Sequence, residues 1–162
     1  MATVTTLAKA AGGRGNPSKK PYMVEVEIDL AAAATAKGSA LAAADVIEAI
    51  SVGANTVVMF AGAEITVAPA GGNGATFDLG ITGGDVDAFV DGMTITGASA
   101  GDYGTLANTA CPILVTTADT IDMLLIGTTP DTSGKIRVYA MLMDVDSMGT
   151  QAADEVDRDL LA

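Results

Sequence analysis

The clearest pattern in the chain is an alternation of apolar and polar residues over 23–30, "MVEVEIDL". From Val24 to Leu30 every second residue is aliphatic, and the residues between them are acidic. A period of two is typical of a β-strand that buries one face and exposes the other. The sequence therefore predicts a half-buried strand at these positions.

Seven further segments combine apolar, often β-branched residues with turn-forming neighbours. Gly, Asn, Pro and Asp separate the segments, and none has the period of a long helix. With the first strand they make about eight strands, the others lying at 46–52, 57–68, 75–82, 87–96, 112–117, 121–127 and 135–145. This spacing predicts an all-β protein, an antiparallel β-sandwich that is jelly-roll-like.

The segment between the first two strands leaves two interpretations open. Residues 31–45, "AAAATAKGSALAAAD", are rich in alanine, which favours a helix, but Gly38 and Ser39 interrupt the run. A single helical turn and a loop fit the segment equally well.

Two predicted strands, 121–127 ("IDMLLIG") and 139–145 ("YAMLMDV"), are apolar on both faces. In a sandwich, this indicates central strands whose second face is covered, by another subunit in one interpretation. Methionines concentrate in this part of the chain. They fit core filling and a subunit interface equally well, and they are Met123, Met141, Met143 and Met148.

The two ends of the chain differ from the predicted sandwich domain, which we assign to residues 23–146. Residues 1–22 have no sustained periodicity and hold four basic residues and no acid, so they predict an extended basic arm that becomes ordered on a partner. The basic residues of this arm are Lys9, Arg14, Lys19 and Lys20. Residues 147–162 form an acidic tail, for which a short helix and a frayed end both remain open.

Composition excludes several classes of function. The chain has no histidine and a single cysteine, which argues against the common general base, the Ser–His and Cys–His pairs and a zinc site, and we expect neither an enzyme nor a cofactor. Outside the arm, four basic and twenty acidic residues give a net charge of −16, which repels nucleic acid. No apolar run approaches the length of a membrane helix and no secretory signal is evident, so we expect no membrane association and synthesis in a cytoplasm.

Three aspartates in "GGDVDAFVDG" are the strongest candidates for chemistry. Asp85, Asp87 and Asp91 occupy relative positions 1, 3 and 7, but an EF-hand loop also needs an oxygen ligand at 5, Gly at 6 and Glu at 12. A looser calcium site is a weak alternative. We interpret the acids as solvated groups on one face of a strand, shared with Phe89, that keep its edge from pairing with other chains.

Three stretches of the chain resemble small virion proteins of tailed bacteriophages. They are "ADVIEAISVGANTVVMFAGAEITVA", "ATFDLGITGGDVDAFVDG" and "GKIRVYAMLMDV", and the resemblance extends over about residues 22–146. It is closest to capsid decoration (cement) proteins. The resemblance implies a β-sandwich, usually a homotrimer, on the capsid surface, where it clamps neighbouring subunits of the major capsid protein; it implies no catalytic residues.

The sequence therefore favours a structural virion protein that binds the outside of a phage head and stabilises it. We expect the basic arm to contact acidic capsid surface. The alternatives are a tail or fibre accessory protein and a carbohydrate-binding β-sandwich module, although a sugar site would need more aromatic residues than the three Tyr and three Phe present.

Overall fold

The computed structural model describes residues 3–5, 21–104, 107, 111–127 and 132–145. Within these residues the chain forms one helix and nine strands. In chain order they are β1 (Thr3–Thr5), β2 (Tyr22–Asp29), α1 (Leu30–Lys37), β3 (Val46–Val52), β4 (Thr56–Ala70), β5 (Thr76–Ile81), β6 (Val90–Thr94), β7 (Ile113–Val115), β8 (Asp119–Ile126) and β9 (Ser133–Asp144).

The strands form two sheets. Sheet A has the order β1-β3-β8-β5-β6, and sheet B has the order β2-β9-β4-β7. Strands β2 to β9 pair with one another only in antiparallel fashion, whereas the short β1 lies parallel to β3, with Thr3 opposite Val46 and Thr5 opposite Glu48. As in a jelly roll, the chain crosses repeatedly from one sheet to the other, so that β9 pairs with β2 in sheet B and β8 pairs with β3 in sheet A. The prediction of an antiparallel, jelly-roll-like sandwich of about eight strands is confirmed.

The core lies between the two sheets and consists of aliphatic side chains with few aromatic ones. Sheet A contributes fully buried residues such as Phe77 and Met123, and sheet B contributes Ile65, Ile136 and Val138. These positions alternate with outward-facing residues along each strand, because successive side chains of a strand point to opposite faces. The strand pattern of the sequence therefore defines the core directly.

Residues 30–37 form helix α1, so the segment begins as a helix and not a loop, and its eight residues make about two turns where one was expected. Asp29 caps the helix N-terminus, since its Oδ1 accepts hydrogen bonds from the amides of Ala31 (2.9 Å) and Ala32 (3.0 Å). Gly38 ends the helix in the left-handed region, at φ 78°, and its amide donates to the carbonyl oxygens of Ala34 and Thr35. The glycine that interrupts the alanine run is thus the helix C-cap.

An ion pair attaches α1 to sheet A. Lys37, in the last turn of α1, donates from Nζ to Oδ2 of Asp45, and the amide of Ala42 donates to the same oxygen at 2.8 Å. The Lys37 side chain is 12% exposed and that of Asp45 is 3% exposed. The backbone of Asp45 also accepts a hydrogen bond from the amide of Leu125 in β8. The connection between α1 and β3 is therefore held to sheet A by polar contacts.

Candidate functional site

The aspartate-rich segment forms the connection between β5 and β6, here called the β5–β6 loop (residues 82–89). Its backbone folds onto the outer face of sheet A at Gly80, where an added Cβ would lie 2.2 Å from the carbonyl oxygen of Asp85. The amide of Ile81 donates to that oxygen (2.9 Å), and the amide of Phe89 donates to the carbonyl of Leu79 (2.9 Å). Glycine at position 80 is therefore required for the loop to lie on the sheet.

The strand prediction for the aspartates is wrong in part. The strand expected at 87–96 begins only at Val90, so Asp85 and Asp87 belong to the loop, and Phe89 is fully buried and does not share an exposed face with them. The reason is the docking of the loop on Gly80, which replaces strand alternation by a turn. Asp85 and Asp91 are exposed, in keeping with solvated acids.

The charges of the aspartates in the β5–β6 loop are relevant to the alternative interpretation, a calcium site. A hydrogen bond between the carboxyl groups of Asp87 and Asp85 and the negative charge of Asp85 raise the pKa of Asp87. Among the described residues no group of three His, Cys, Asp or Glu side chains is arranged to hold a metal ion.

Beside the loop is a groove of about 610 Å³ between the loop, β7 and the start of β8. Asp85 and Asp119 contribute carboxylates to its wall, and Ile81 and Leu114 contribute apolar surface. The amide of Gly83 donates to Oδ2 of Asp119 at 3.3 Å, which ties the loop to β8. The groove thus combines negative charge with an apolar side.

Below the same loop lies a buried carboxyl group that has no conspicuous motif around it in the sequence. Asp122 is in the middle of β8, opposite Glu48 of β3 and Gly80 of β5, and is only 5% exposed. Neither of its carboxyl oxygens has a hydrogen-bond partner of good geometry among the described residues. Burial raises the pKa of Asp122 from 3.8 to about 6; the nearby Thr120 hydroxyl and Thr82 amide lower it, but less than burial raises it.

The outer face of sheet B carries an apolar surface at the end where β9 finishes, here called the apolar band. The strand register places Met23 beside Met141, Val57 beside Met143 and Leu114 beside Val57. Met23 is 55% exposed and Leu114 is 53% exposed. The band consists of Met23, Val57, Phe60, Leu114, Met141 and Met143. Within the described part of the chain, it is the principal apolar surface of sheet B that a partner could contact.

The other end of that face carries two ion pairs. Lys135 Nζ lies 2.9 Å from Glu27 Oε1, and Arg137 Nη1 lies 3.6 Å from Glu64 Oε2. Hydrogen bonds from Lys135 and Thr66 lower the pKa of Glu27, and the same contact with Glu27 raises the pKa of Lys135. The outer face of sheet B is therefore divided into an apolar end and an ion-paired end.

These positions decide between the alternatives for the two strands that are apolar on both faces. Both strands are central in their sheets, as predicted. The outer face of β8 is covered at Asp122 by the chain's own β5–β6 loop, and coverage of other positions by a second subunit stays a prediction. Of the methionines, Met123 is core, whereas Met141 and Met143 lie in the apolar band. Met148 lies outside the described residues.

The basic residues predicted to contact a partner also lie outside the described residues, as does the acidic tail, residues 147–162; the basic residues are Lys9, Arg14, Lys19 and Lys20. Cys111 is half-buried against the core, and burial raises the pKa of its thiol, which favours the unreactive protonated form. The described part of the chain contains no helix long and apolar enough to cross a membrane.

No protein-family model and no curated protein sequence matches the chain. Solved structures do. A chain in the capsid of Ralstonia phage GP4 has a TM-score of 0.63 at 18% identity, and the match covers 90% of this chain and 100% of that one. The chain shares its fold with proteins of phage capsids.

Two further matches extend this likeness. A chain in the capsid asymmetric unit of cyanophage Pam1 has a TM-score of 0.55 at 13% identity, covering 85% of this chain and 94% of that one. A chain in the acid-stable capsid of Helicobacter pylori bacteriophage KHP30 has a TM-score of 0.50 at 9% identity, covering 76% and 86%. At these identities the likeness establishes a common fold.

Proposed function

We propose that this protein is a structural component of a phage virion that binds the outside of the head and stabilises it by clamping neighbouring major capsid subunits. The observation that carries the proposal is the extent of the likeness to the GP4 capsid chain, which covers all of that chain and 90% of this one. A match over all of one chain and 90% of the other favours a shared architecture over the reuse of one motif.

The surface chemistry supports a structural role. Within the described residues the acids are exposed, ion-paired, used as caps or buried singly, and no group of them is arranged to hold a metal ion. The core between the two sheets is filled mainly by aliphatic side chains. A rigid body with one apolar surface is suited to binding other proteins.

We propose that the apolar band forms the contact between copies in a homotrimer. Three weakly binding copies held together bind a threefold position of a shell more firmly than one copy does, because the second and third contacts become intramolecular. The basic arm, with Lys9, Arg14, Lys19 and Lys20, then anchors each copy on acidic capsid surface.

The oligomer is tested by native mass spectrometry of Met23→Glu and Leu114→Glu. Both side chains are more than half exposed in the single chain, so a charge there leaves folding intact but opposes burial in an interface. We expect a trimer for the unaltered protein and monomers for the variants. Val86→Glu, at a position 44% exposed on the β5–β6 loop, is the matched control and should stay trimeric. A monomer at high concentration of the unaltered protein contradicts the proposal.

Head binding is tested by co-sedimentation with capsids of the encoding phage that lack this protein. We expect the double variant Lys19→Gln/Lys20→Gln to bind more weakly, with a shallower dependence on salt, because exposed ionic contacts are screened by salt. Lys135→Gln removes a charge from the body of the sandwich and is the control. Binding to tails and not to heads would favour a tail accessory protein instead.

A further inference from the structure

The outer face of sheet A buries a carboxyl group that has no cationic side chain beside it among the described residues. The neighbours of Asp122 in β8, Ile121 and Met123, are fully buried on the core side, so Asp122 points to the opposite face. Its register partner in β5 is Gly80, on which the backbone of the β5–β6 loop rests. Asp122 is therefore covered by a loop of the same chain.

In the part of the chain that the structure describes, the charged groups that act on Asp122 are acidic. Glu48 comes from β3 and Asp119 from β8 itself, and both raise the pKa of Asp122 by their negative charge. The loop contributes the Thr82 amide close to Asp122, with Asp85 and Asp87 further along it, and β5 contributes Gly80, which has no charge.

The cations of the described residues are each paired elsewhere. Lys37 is paired with Asp45, Lys135 with Glu27 and Arg137 with Glu64. No described group of three acids is arranged to bind a metal ion that would neutralise the site. A proton is then the species available to remove the charge of Asp122 while the loop stays closed.

We propose that Asp122 is a proton-controlled latch: the β5–β6 loop is held on sheet A when this carboxyl group is protonated and opens more readily when it is ionised. A buried ionised carboxylate is unfavourable when its hydrogen bonds are too weak to offset the loss of water, and opening the loop lets water solvate it. A protonated carboxyl group avoids that cost and can donate a hydrogen bond to the loop or to Thr120. This inference concerns the isolated protein and does not depend on head binding.

The size of the effect follows from the pKa of Asp122 in the two states of the loop. The closed value is about 6, and a solvated carboxyl group has the ordinary value of 3.8. The closed state then binds the proton more tightly, so the opening equilibrium constant rises with pH. With these two values it rises about tenfold between about pH 5 and pH 7.5 and levels off above the closed-state pKa.

Hydrogen exchange tests this directly. The amides of Ile81, Gly84 and Phe89 form the hydrogen bonds that close the loop. We expect their protection, after correction for the intrinsic pH dependence of exchange, to fall about tenfold between about pH 5 and pH 7.5 in the unaltered protein. In Asp122→Asn, which has similar shape and cannot ionise, protection should stay high and independent of pH.

Two further measurements distinguish the latch from a general effect of pH on the fold. Asp91→Asn removes an exposed acid next to the loop and should keep the pH dependence of the unaltered protein. The amide of Val58, in sheet B, reports global opening and should not follow the loop. Corrected protection that does not change with pH in the unaltered protein overturns the proposal. So does an Asp122→Asn variant that retains the change, or a change that is abolished by salt, since the latter indicates repulsion between exposed acids and not the protonation of a buried group.

Discussion

Loss of one partner of the ion pair between Lys37 and Asp45 should destabilise the protein far more than the same change in the other ion pairs of the described residues. Its two side chains are 12% and 3% exposed, whereas those of Lys135 and Glu27 are 39% and 43% exposed. Removing one partner of a buried pair leaves the other charge without compensation. In Asp45→Ala the Lys37 ammonium would retain its hydrogen bond to the carbonyl of Ala40 (2.8 Å), while the amide of Ala42 would lose its acceptor.

The expected cost follows from these contacts. Breaking a buried pair costs about 3–5 kcal/mol, and the remaining exposure of Lys37 puts the cost of Asp45→Ala at about 3 kcal/mol. For a chain of this size such a loss lowers the melting temperature by about 6–12 °C. The free energy of unfolding is measured by urea denaturation followed by far-UV circular dichroism at neutral pH.

A double-mutant cycle with Lys37→Met, Asp45→Ala and the double variant isolates the coupling between the two side chains. The control is Glu27→Ala, which breaks the exposed pair with Lys135 and should leave the melting temperature nearly unchanged. If Asp45→Ala lowers the melting temperature no more than Glu27→Ala does, the reasoning from burial is refuted.

Two other predictions concern packing. Gly80→Ala places a Cβ 2.2 Å from the carbonyl oxygen of Asp85, so the β5–β6 loop must move. We expect the free energy of unfolding to fall by about 1–3 kcal/mol and the Ile81 amide to exchange its hydrogen faster. Gly53→Ala, where the nearest atom is 3.4 Å away, is the control, and equal effects of the two changes would contradict the expected clash. Phe77→Ala removes a fully buried ring and should lower the free energy of unfolding, measured in urea, by about 3–5 kcal/mol. Phe60→Ala, on the outer face of sheet B, is the control and should cost less. A larger loss for Phe60→Ala than for Phe77→Ala would contradict the assignment of the core.

Much of the fold is evident in the sequence because strand periodicity is a local property. The segment at 46–52 matches β3 residue for residue, and the alternation at 23–30 matches β2 to within one residue at each end. The number of strands and their turn residues are enough to indicate a jelly roll. The same reasoning misplaced the start of β6, because a loop that docks on a glycine of another strand has no local signal.

The candidate sites depend more on tertiary structure. The sequence drew attention to Asp85, Asp87 and Asp91, which are conspicuous because they cluster, yet the acid in the most unusual environment is Asp122. Its only sequence signal is a single carboxyl group within the apolar run "IDMLLIG". The sequence also indicated that Met141 and Met143 are either core or interface, and the strand register places them on the outer face of sheet B.

The sequence by itself determined the class of fold, the alternation that builds the core, the lack of histidine and the uneven distribution of charge, with basic residues at 1–22 and all the acids after them. These follow from residue identity and from the period of two along a strand. Only the tertiary structure decided which outer-face positions are covered. Whether an outer-face residue is covered depends on which segment, distant in sequence, lies over the sheet. Here the β5–β6 loop lies over Asp122, whereas no described segment covers the apolar band.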